Sequence, residues 1–311
     1  MVCDLAYVGV TCSVPFHGAT PHGSRNMSKI AAYLLFIIVS LALPAAALAA
    51  ENITRVSDGK QVAMRQVVAQ AEKADLILVG EVHDNKAHHA LQLEVLRALK
   101  KDGIPIAIGL EAMQADSQGD LDAFIAGKMN EERFKQVFAR NWSYDWGLYR
   151  DIFIFAKENG IPMIALNLPK ELVVKVSRRG YAALTDEEKK SLPQGTMCDL
   201  NNPHTEFLKK SFGEVFKHVT NGRVFEYFCE AQTLRNSGMA TSIRAYLKKA
   251  PKTKVVAFTG IWHAVKNAVP EQLSRNGSPV ASLVIMPEIN EFKGGEASPE
   301  VIDYLVNFTA P

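Results

Sequence analysis

Five short apolar segments, each of strand length, constrain the fold of this chain more than any other feature. They are apolar at nearly every position, not at alternate ones, and turn or polar residues follow them. Strands that are apolar on both faces are typical of a parallel sheet covered by helices on both sides and joined by right-handed crossovers. The five segments are Asp75–Gly80, Ile104–Leu110, Ile161–Asn167, Lys254–Gly260 and Val280–Met286.

Helical spacing of apolar residues fills much of the chain between these segments, for example over 62–73, 88–100 and 150–159. Two longer helical stretches interrupt the alternation, roughly over 114–150 and 171–247. We therefore predict an α/β fold with a central, mainly parallel sheet flanked by helices. The two long stretches predict a smaller helical subdomain, or lid, over one edge of the sheet.

The first fifty residues differ from the rest of the chain. Lys29 precedes the apolar run Ile30–Leu43, and Ala47-Leu48-Ala49 fits the pattern that signal peptidase cleaves. The run is shorter than the roughly 20 residues of a membrane span, although a retained membrane anchor is the alternative. We expect the cleaved protein to be exported, periplasmic and soluble. The predicted divisions are a non-native upstream extension over 1–26, a signal peptide over 27–49 and the mature α/β domain over 50–311.

Composition and charge narrow the function. The sequence is 48% hydrophobic and 22% charged, with a formal net charge of +2 over 311 residues. These values are typical of a globular chain with a full core. No basic patch with interleaved aromatic residues is present, so we expect no nucleic-acid partner.

Two cysteines, Cys198 and Cys229, remain after the predicted signal peptide. In an oxidising compartment they could form a disulfide, and two buried thiols are the alternative.

Polar residues recur where the predicted strands end. The first strand runs into Glu81 and His83, the second into Glu111, the third ends at Asn167, and the fourth runs into His263. The carboxyl ends of parallel strands face one crevice, where ligands bind. Each residue alone could cap a helix or bond a loop carbonyl, but together they predict a functional site in that crevice.

The residue types leave two chemistries open. Glu81, His83, Glu111 and His263 could hold a divalent metal with a water in an open position. Histidine, tyrosine or methionine beside an apolar pocket could instead hold haem iron. Adjacent side chains on a helix diverge, so His88 and His89 are not expected to share a metal.

An aromatic segment lies at the end of the first long helical stretch. Residues 141–149 hold Trp142, Tyr144, Trp146 and Tyr149. Such rings offer large contact areas for a flat ligand, and an anchor between the lid and the sheet is the alternative. The haem hypothesis places Tyr144, Trp146 and Tyr149 against the porphyrin, together with His83 and His263.

The chain resembles the ChaN family of haem-binding, iron-regulated proteins, within a wider group that includes Tiki proteases, TraB proteins and erythromycin esterases. The resemblance lies in two Gly-x-x-His tetrads, Gly80–His83 and Gly260–His263, with Glu111 between them. It continues in the segments 144–184, 228–240 and 303–309. The second tetrad carries the bulky Trp262 where a smaller residue is typical, and no cysteine follows the signal peptide for lipid attachment.

The resemblance implies haem bound between the sheet and the helical domain, with a homodimer and components of haem or iron transport as possible partners. The leading hypothesis is an exported haem-binding protein of haem or iron acquisition. The alternative is a metal-dependent hydrolase that uses Glu81, His83, Glu111 and His263, in which the metal lowers the pKa of its bound water. A third hypothesis is a structural component of a transport complex.

Overall fold

The computed structural model describes residues 52–193, 197–216, 223–275, 277, 279–295 and 297–308. The predicted signal peptide and upstream extension lie outside the described residues.

A single sheet of eight strands forms the centre of the described structure, in the order β2-β1-β8-β7-β3-β6-β4-β5. The pairs within β8-β7-β3-β6-β4-β5 are parallel, whereas β1 runs antiparallel to β2 and β8. The strands are β1 (Asn52–Arg55), β2 (Lys60–Val62), β3 (Leu76–Glu81), β4 (Ile106–Gln114), β5 (Met163–Asn167), β6 (Lys254–Gly260), β7 (Ser282–Pro287) and β8 (Tyr304–Asn307).

Helices connect the strands and cover the sheet. They are α1 (Met64–Ala71), α2 (Lys86–Lys101), α3 (Gln118–Ile125), α4 (Glu131–Asn141), α5 (Trp146–Glu158), α6 (Lys170–Arg179), α7 (Asp186–Lys190), α8 (Pro203–Phe216), α9 (Val224–Lys249), α10 (Ile261–Ala264) and α11 (Val269–Arg275). None of the helices in the described ranges is long and apolar enough to cross a membrane.

Two apolar cores, one on each face, follow from strands that are buried on both sides. On β3, Ile77 and Val79 face the core formed with α1 to α5. Leu76 and Leu78 face the other core, formed with α9, α10 and α11. The uninterrupted apolar character of the predicted strands therefore reflects burial on both faces, and the α/β fold with a mainly parallel sheet is confirmed.

All five predicted strands form, as β3, β4, β5, β6 and β7. The sequence analysis missed β1, β2 and β8. These strands are only three or four residues long, and each contains positions that are not buried, so they carry no long apolar run.

The two predicted helical stretches occupy different places. Helices α3 to α5, from the stretch over 114–150, pack into the main core on one sheet face. The stretch over 171–247 forms two small apolar clusters of its own. One includes Val176 of α6 and Leu234 of α9, and the other includes Phe212 of α8 and Phe228 of α9. This second stretch corresponds more closely to the predicted lid, and the domain boundaries themselves stay a prediction.

Candidate functional site

Three adjacent strands bring the predicted site residues together. Strand β6 lies between β3 and β4, and Glu81 at the end of β3 pairs in register with Gly260 at the end of β6. His83 and His263 follow these ends by two and three residues, and Glu111 lies in β4. The carboxyl ends of β3, β6 and β4 therefore lie at one edge of the sheet, as the predicted crevice requires.

The first cluster is centred on the buried carboxylate of Glu81 and is called the Glu81 cluster. Its Oε1 lies 2.6 Å from His83 Nδ1 and accepts a hydrogen bond of 2.6 Å from the Tyr149 hydroxyl. Its Oε2 accepts a hydrogen bond of 2.5 Å from Gln92 Nε2 and lies 3.3 Å from His89 Nδ1. Glu81 is thus surrounded by hydrogen-bond donors from β3, α2 and α5.

These contacts determine the charge of Glu81. Burial alone would raise the pKa of this carboxyl, but the hydrogen bonds from His83 and His89 outweigh burial and hold the pKa well below its ordinary value. The pKa of Tyr149 is shifted in the opposite direction. Burial and then the negative charge of Glu81 raise the pKa of its hydroxyl well above 10, so the hydroxyl remains a donor.

The second cluster is centred on the buried carboxylate of Glu111 and is called the Glu111 cluster. Oε1 of Glu111 forms a buried ion pair with Arg235 Nη2, and Oε2 accepts a hydrogen bond of 2.6 Å from the Gly260 amide. The backbone carbonyl of Glu111 accepts a hydrogen bond of 3.1 Å from Asn167 Nδ2. Strands β4, β5 and β6 and helix α9 therefore meet at this carboxylate.

His263 belongs to the Glu111 cluster and is 1% exposed. Its Nδ1 donates to Asn236 Oδ1 at 2.6 Å, and its Nε2 lies 3.7 Å from Glu111 Oε1. Within the described residues, Nε2 has no hydrogen-bond partner. Burial, and then the positive charge of Arg235, hold the pKa of His263 well below 6.5, so this histidine is neutral.

Gly260 joins the two clusters. A Cβ placed on this residue would lie 3.0 Å from His83 Nε2 and 3.6 Å from Glu111 Oε2. The absence of a side chain at this position therefore lets the His83 ring approach β6 on the side of Glu111. The two predicted histidines and two predicted carboxylates thus lie in one continuous buried polar region.

A further buried histidine supports each Gly-x-x-His segment. Nδ1 of His88 accepts a hydrogen bond of 2.9 Å from the Val82 amide, and Nε2 of His204 donates one of 2.7 Å to the Trp262 carbonyl. Burial lowers the pKa of each of these two histidines to about 4. As expected, His88 and His89 point to different partners.

The predicted aromatic platform is divided between the core and the edge of the crevice. Trp146 is 8% exposed and packs against Phe134, Phe138 and Phe153 in the main core. Tyr149 is buried against Glu81. Tyr144 is half-buried, with its ring centroid 5.1 Å from that of His83. Of the three, Tyr144 is the one placed to meet a ligand from outside, and a stacking role for Trp146 and Tyr149 stays a prediction.

The positions of the site residues can be compared with what each proposed ligand, a divalent metal or haem, requires. Among the residues that the structure describes, no three His, Cys, Asp or Glu side chains are grouped so that they could hold a metal ion. The four predicted metal ligands instead lie in two neighbouring clusters. For haem, imidazole and phenol groups of the kinds that iron takes are present at His83, His263 and Tyr144. The inner side chains pack against one another, so the half-buried Tyr144 is the one of these three residues that a porphyrin could contact from outside.

Four contributing residues were missed by the sequence analysis: His89, Gln92, Arg235 and Asn236. The last two lie on α9, where residues 232–237, all polar except Leu234, are buried. Polar residues at neighbouring helix positions point in different directions, so the sequence alone does not reveal that all are covered. His89 and Gln92 lie among the apolar residues of α2, which is a detectable signal for buried polar groups.

Cys198 and Cys229 form a disulfide, which confirms the expected pairing. It joins the segment before α8 to α9, with a sequence separation of 31 residues. A loop of this length stabilises the folded chain by about 3–4 kcal/mol. The bond therefore anchors the helix that carries Arg235 and Asn236.

Known proteins resemble this chain in sequence and fold. The family described as haem-binding uptake, Tiki superfamily, ChaN matches residues 67–273. The chloroplastic protein RETICULATA-RELATED 5 of Arabidopsis thaliana is 23% identical over 249 residues, which cover 75% of this chain. The chain spans about a third of the length of that relative, since the match covers 34% of it.

Solved structures resemble this chain as well. The structure of ChaN from Campylobacter jejuni, whose description reports cofacial haem binding, has the same fold, with a TM-score of 0.64 and 19% identity. The similarity covers 83% of this chain and 97% of that one. The open conformation of a mutant of the erythromycin esterase EreC matches with a TM-score of 0.46 and 14% identity over 76% of each chain. Because the family model spans the strands and helices that build both clusters, the chain belongs to the ChaN family of haem-binding uptake proteins in the Tiki superfamily.

Proposed function

We propose that this protein binds haem and acts in haem or iron acquisition after export to the periplasm. The observation that carries the proposal is the family match over residues 67–273, which includes Tyr144, His83 and His263. The haem reported with ChaN of Campylobacter jejuni supports the same ligand class.

Haem would lie between the sheet crevice and the helical subdomain, with one edge against Tyr144. Bound haem would supply an iron that accepts imidazole or phenolate ligands. Tyr144 is half-buried at the edge of the crevice, and His83 lies directly behind it. Nδ1 of His83 contacts Glu81, so Nε2 is the nitrogen that would meet a ligand, and the carboxylate would increase its basicity.

Partners follow from the same proposal. The description of the relative reports cofacial haem binding. A homodimer of this chain with one haem per subunit would allow a cofacial arrangement of two haem planes. Components of haem or iron transport would then receive or deliver the ligand.

Titration of the purified protein with haemin tests the proposal. We expect a shifted Soret band that saturates with haemin, and a Tyr144→Ala variant with clearly weaker binding. Tyr246→Ala is the matched control, because Tyr246 is another half-buried tyrosine and lies on α9, outside both clusters. Absence of a Soret shift in the parent protein would reject the proposal, and equal weakening by both substitutions would reject the assigned position.

A second candidate, a metal-dependent hydrolase, is favoured by one observation. His263 Nε2 is buried, has no hydrogen-bond partner among the described residues and lies 3.7 Å from a carboxylate oxygen. A neutral imidazole beside a carboxylate is suited to hold a metal or to accept a proton from water. Metal analysis of the protein used for the haemin titration separates the two functions. A divalent metal lost in the His263→Ala variant, with no haem binding by the parent, would favour the hydrolase.

A further inference from the structure

His89 is a buried histidine near the crevice whose ring nitrogens both face hydrogen-bond acceptors. It lies on the first turn of α2. Asn85 caps this helix, because its side chain accepts a hydrogen bond of 2.9 Å from the Ala87 amide. His89 is buried beneath the His83 segment and packs against Tyr149, with ring centroids 4.2 Å apart and ring planes tilted by 54°. Its position is therefore fixed by a helix cap and by aromatic packing.

The hydrogen-bond partners of His89 determine its protonation. Nε2 lies 3.0 Å from the backbone carbonyl oxygen of His83, an atom that can only accept. Nδ1 lies 3.2 Å from Gln92 Oε1 and 3.3 Å from Glu81 Oε2. A ring nitrogen that faces only acceptors must carry a proton, so both nitrogens of His89 are donors.

The orientation of the Gln92 amide supports this assignment. Its Nε2 donates 2.5 Å to Glu81 Oε2, so its oxygen is directed to His89. The reverse orientation would place an amide oxygen against the carboxylate oxygen, which is repulsive. Gln92 is fully buried and has no water-exposed alternative.

The remaining contacts of Glu81 favour the ionised form of this carboxyl. Trp142 Nε1 donates to the Tyr149 hydroxyl at 3.1 Å, so the hydroxyl proton is directed to Glu81 Oε1. Together with the lowered pKa of Glu81, these donors favour a carboxylate, which then accepts from Nδ1 of His83 as well.

We propose that His89 is a buried imidazolium that serves as a positioning residue for His83. Its positive charge compensates the buried Glu81 carboxylate, whose ionised form is disfavoured by burial. It holds His83 at two points, directly through the backbone carbonyl and indirectly through Glu81, which fixes the ring beside Tyr144. The functional half of this inference rests on the proposed function, in which His83 Nε2 meets the ligand.

Nitrogen-15 NMR of protein labelled at the histidine rings tests the protonation. At pH 8, where an ordinary histidine is neutral, the parent protein is expected to show a ring with two one-bond N–H couplings. That signal should be lost in His89→Gln and retained in His88→Gln, the equally buried neighbour. Absence of the signal from the parent, or its persistence in His89→Gln, would overturn the assignment.

A second variant keeps the test decisive if His89→Gln does not fold. Glu81→Gln removes the negative charge, so the His89 ring is expected to lose one of its two N–H couplings, whereas a merely structural His89 would keep its pattern. Haemin affinity of His89→Gln is expected to fall by about tenfold or more, as for other residues that orient a ligand. A parent protein that shows the NMR pattern but binds no haemin would reject the haem function and leave the imidazolium supported.

Discussion

The Glu81 and Glu111 clusters each balance the charge of a buried carboxylate, but they do so with different cations. Each buries a carboxylate between a histidine of a Gly-x-x-His segment and a positive group from a helix, His89 on α2 or Arg235 on α9. The guanidinium of Arg235 cannot lose its proton, whereas the imidazolium of His89 can. The Glu81 cluster is therefore adaptable, and the Glu111 cluster is a permanent ion pair.

The two histidines differ accordingly. His83 is oriented by a charged group, Glu81, and lies near the edge of the crevice beside Tyr144. His263 is oriented by a neutral amide, Asn236, and is more deeply buried. The comparison suggests a division of roles, with ligand contact at His83 and structural definition of the crevice at the Glu111 cluster.

The largest effect is expected when the permanent pair is broken. Glu111→Gln leaves Arg235 buried without a counter-charge and places an amide group against a donor, Arg235 or the Gly260 amide. We expect a loss of about 3–5 kcal/mol in the free energy of unfolding, measured by urea denaturation. The double variant Glu111→Gln/Arg235→Met should recover much of that loss. A single variant within about 1 kcal/mol of the parent would show that this ion pair is not the fixed element of the site.

The same substitution in the other cluster should cost less. In Glu81→Gln, His89 can release a proton and Gln92 can turn its amide, so no charge remains stranded. We expect a loss of about 1–3 kcal/mol in the same urea experiment. If Glu81→Gln proves as destabilising as Glu111→Gln, the distinction between an adaptable and a permanent cluster is wrong.

Gly260→Ala tests the connection between the clusters. The added methyl group would lie 3.0 Å from His83 Nε2, so the ring must move. We expect a loss of about 1–3 kcal/mol in stability together with weaker haemin binding. Gly119→Ala on α3 is the control, since its added methyl meets no atom within 4 Å and should be neutral or stabilise by about 0.5–1 kcal/mol. Unchanged haemin binding in Gly260→Ala would show that His83 does not contact the ligand.

The smallest effect is expected at His88 and His204, the two buried histidines that support the Gly-x-x-His segments. Both have a folded-state pKa of about 4, below the ordinary 6.5, so the unfolded chain binds a proton first as the pH falls. Each should therefore reduce the free energy of unfolding between pH 6.5 and about 4, by about 1–2 kcal/mol at pH 5. His88→Asn and His204→Asn should each lose stability less steeply than the parent between pH 7 and 5. Parallel pH profiles would show that these histidines are not held neutral.

Much of the fold could be predicted from the sequence, because strands buried on both faces leave continuous apolar runs. The strand ends also identified Glu81, His83, Glu111 and His263, since parallel strands bring their carboxyl ends together. Their counter-charges could not be found in the same way. Arg235 lies 124 residues from Glu111 in sequence, and only the packing of α9 over the sheet shows that the two meet. The aromatic segment was ambiguous because core packing and ligand contact require the same residue types.

Haemin titration of the parent protein beside His83→Ala and His263→Ala, with far-UV circular dichroism of each, tests the central claim most directly. The account predicts a saturable Soret shift in the parent, a strong loss of affinity in His83→Ala and a smaller loss in His263→Ala, with the helical signal retained in both. If both variants fold and bind haemin like the parent, the crevice at the ends of β3, β4 and β6 is not the haem site.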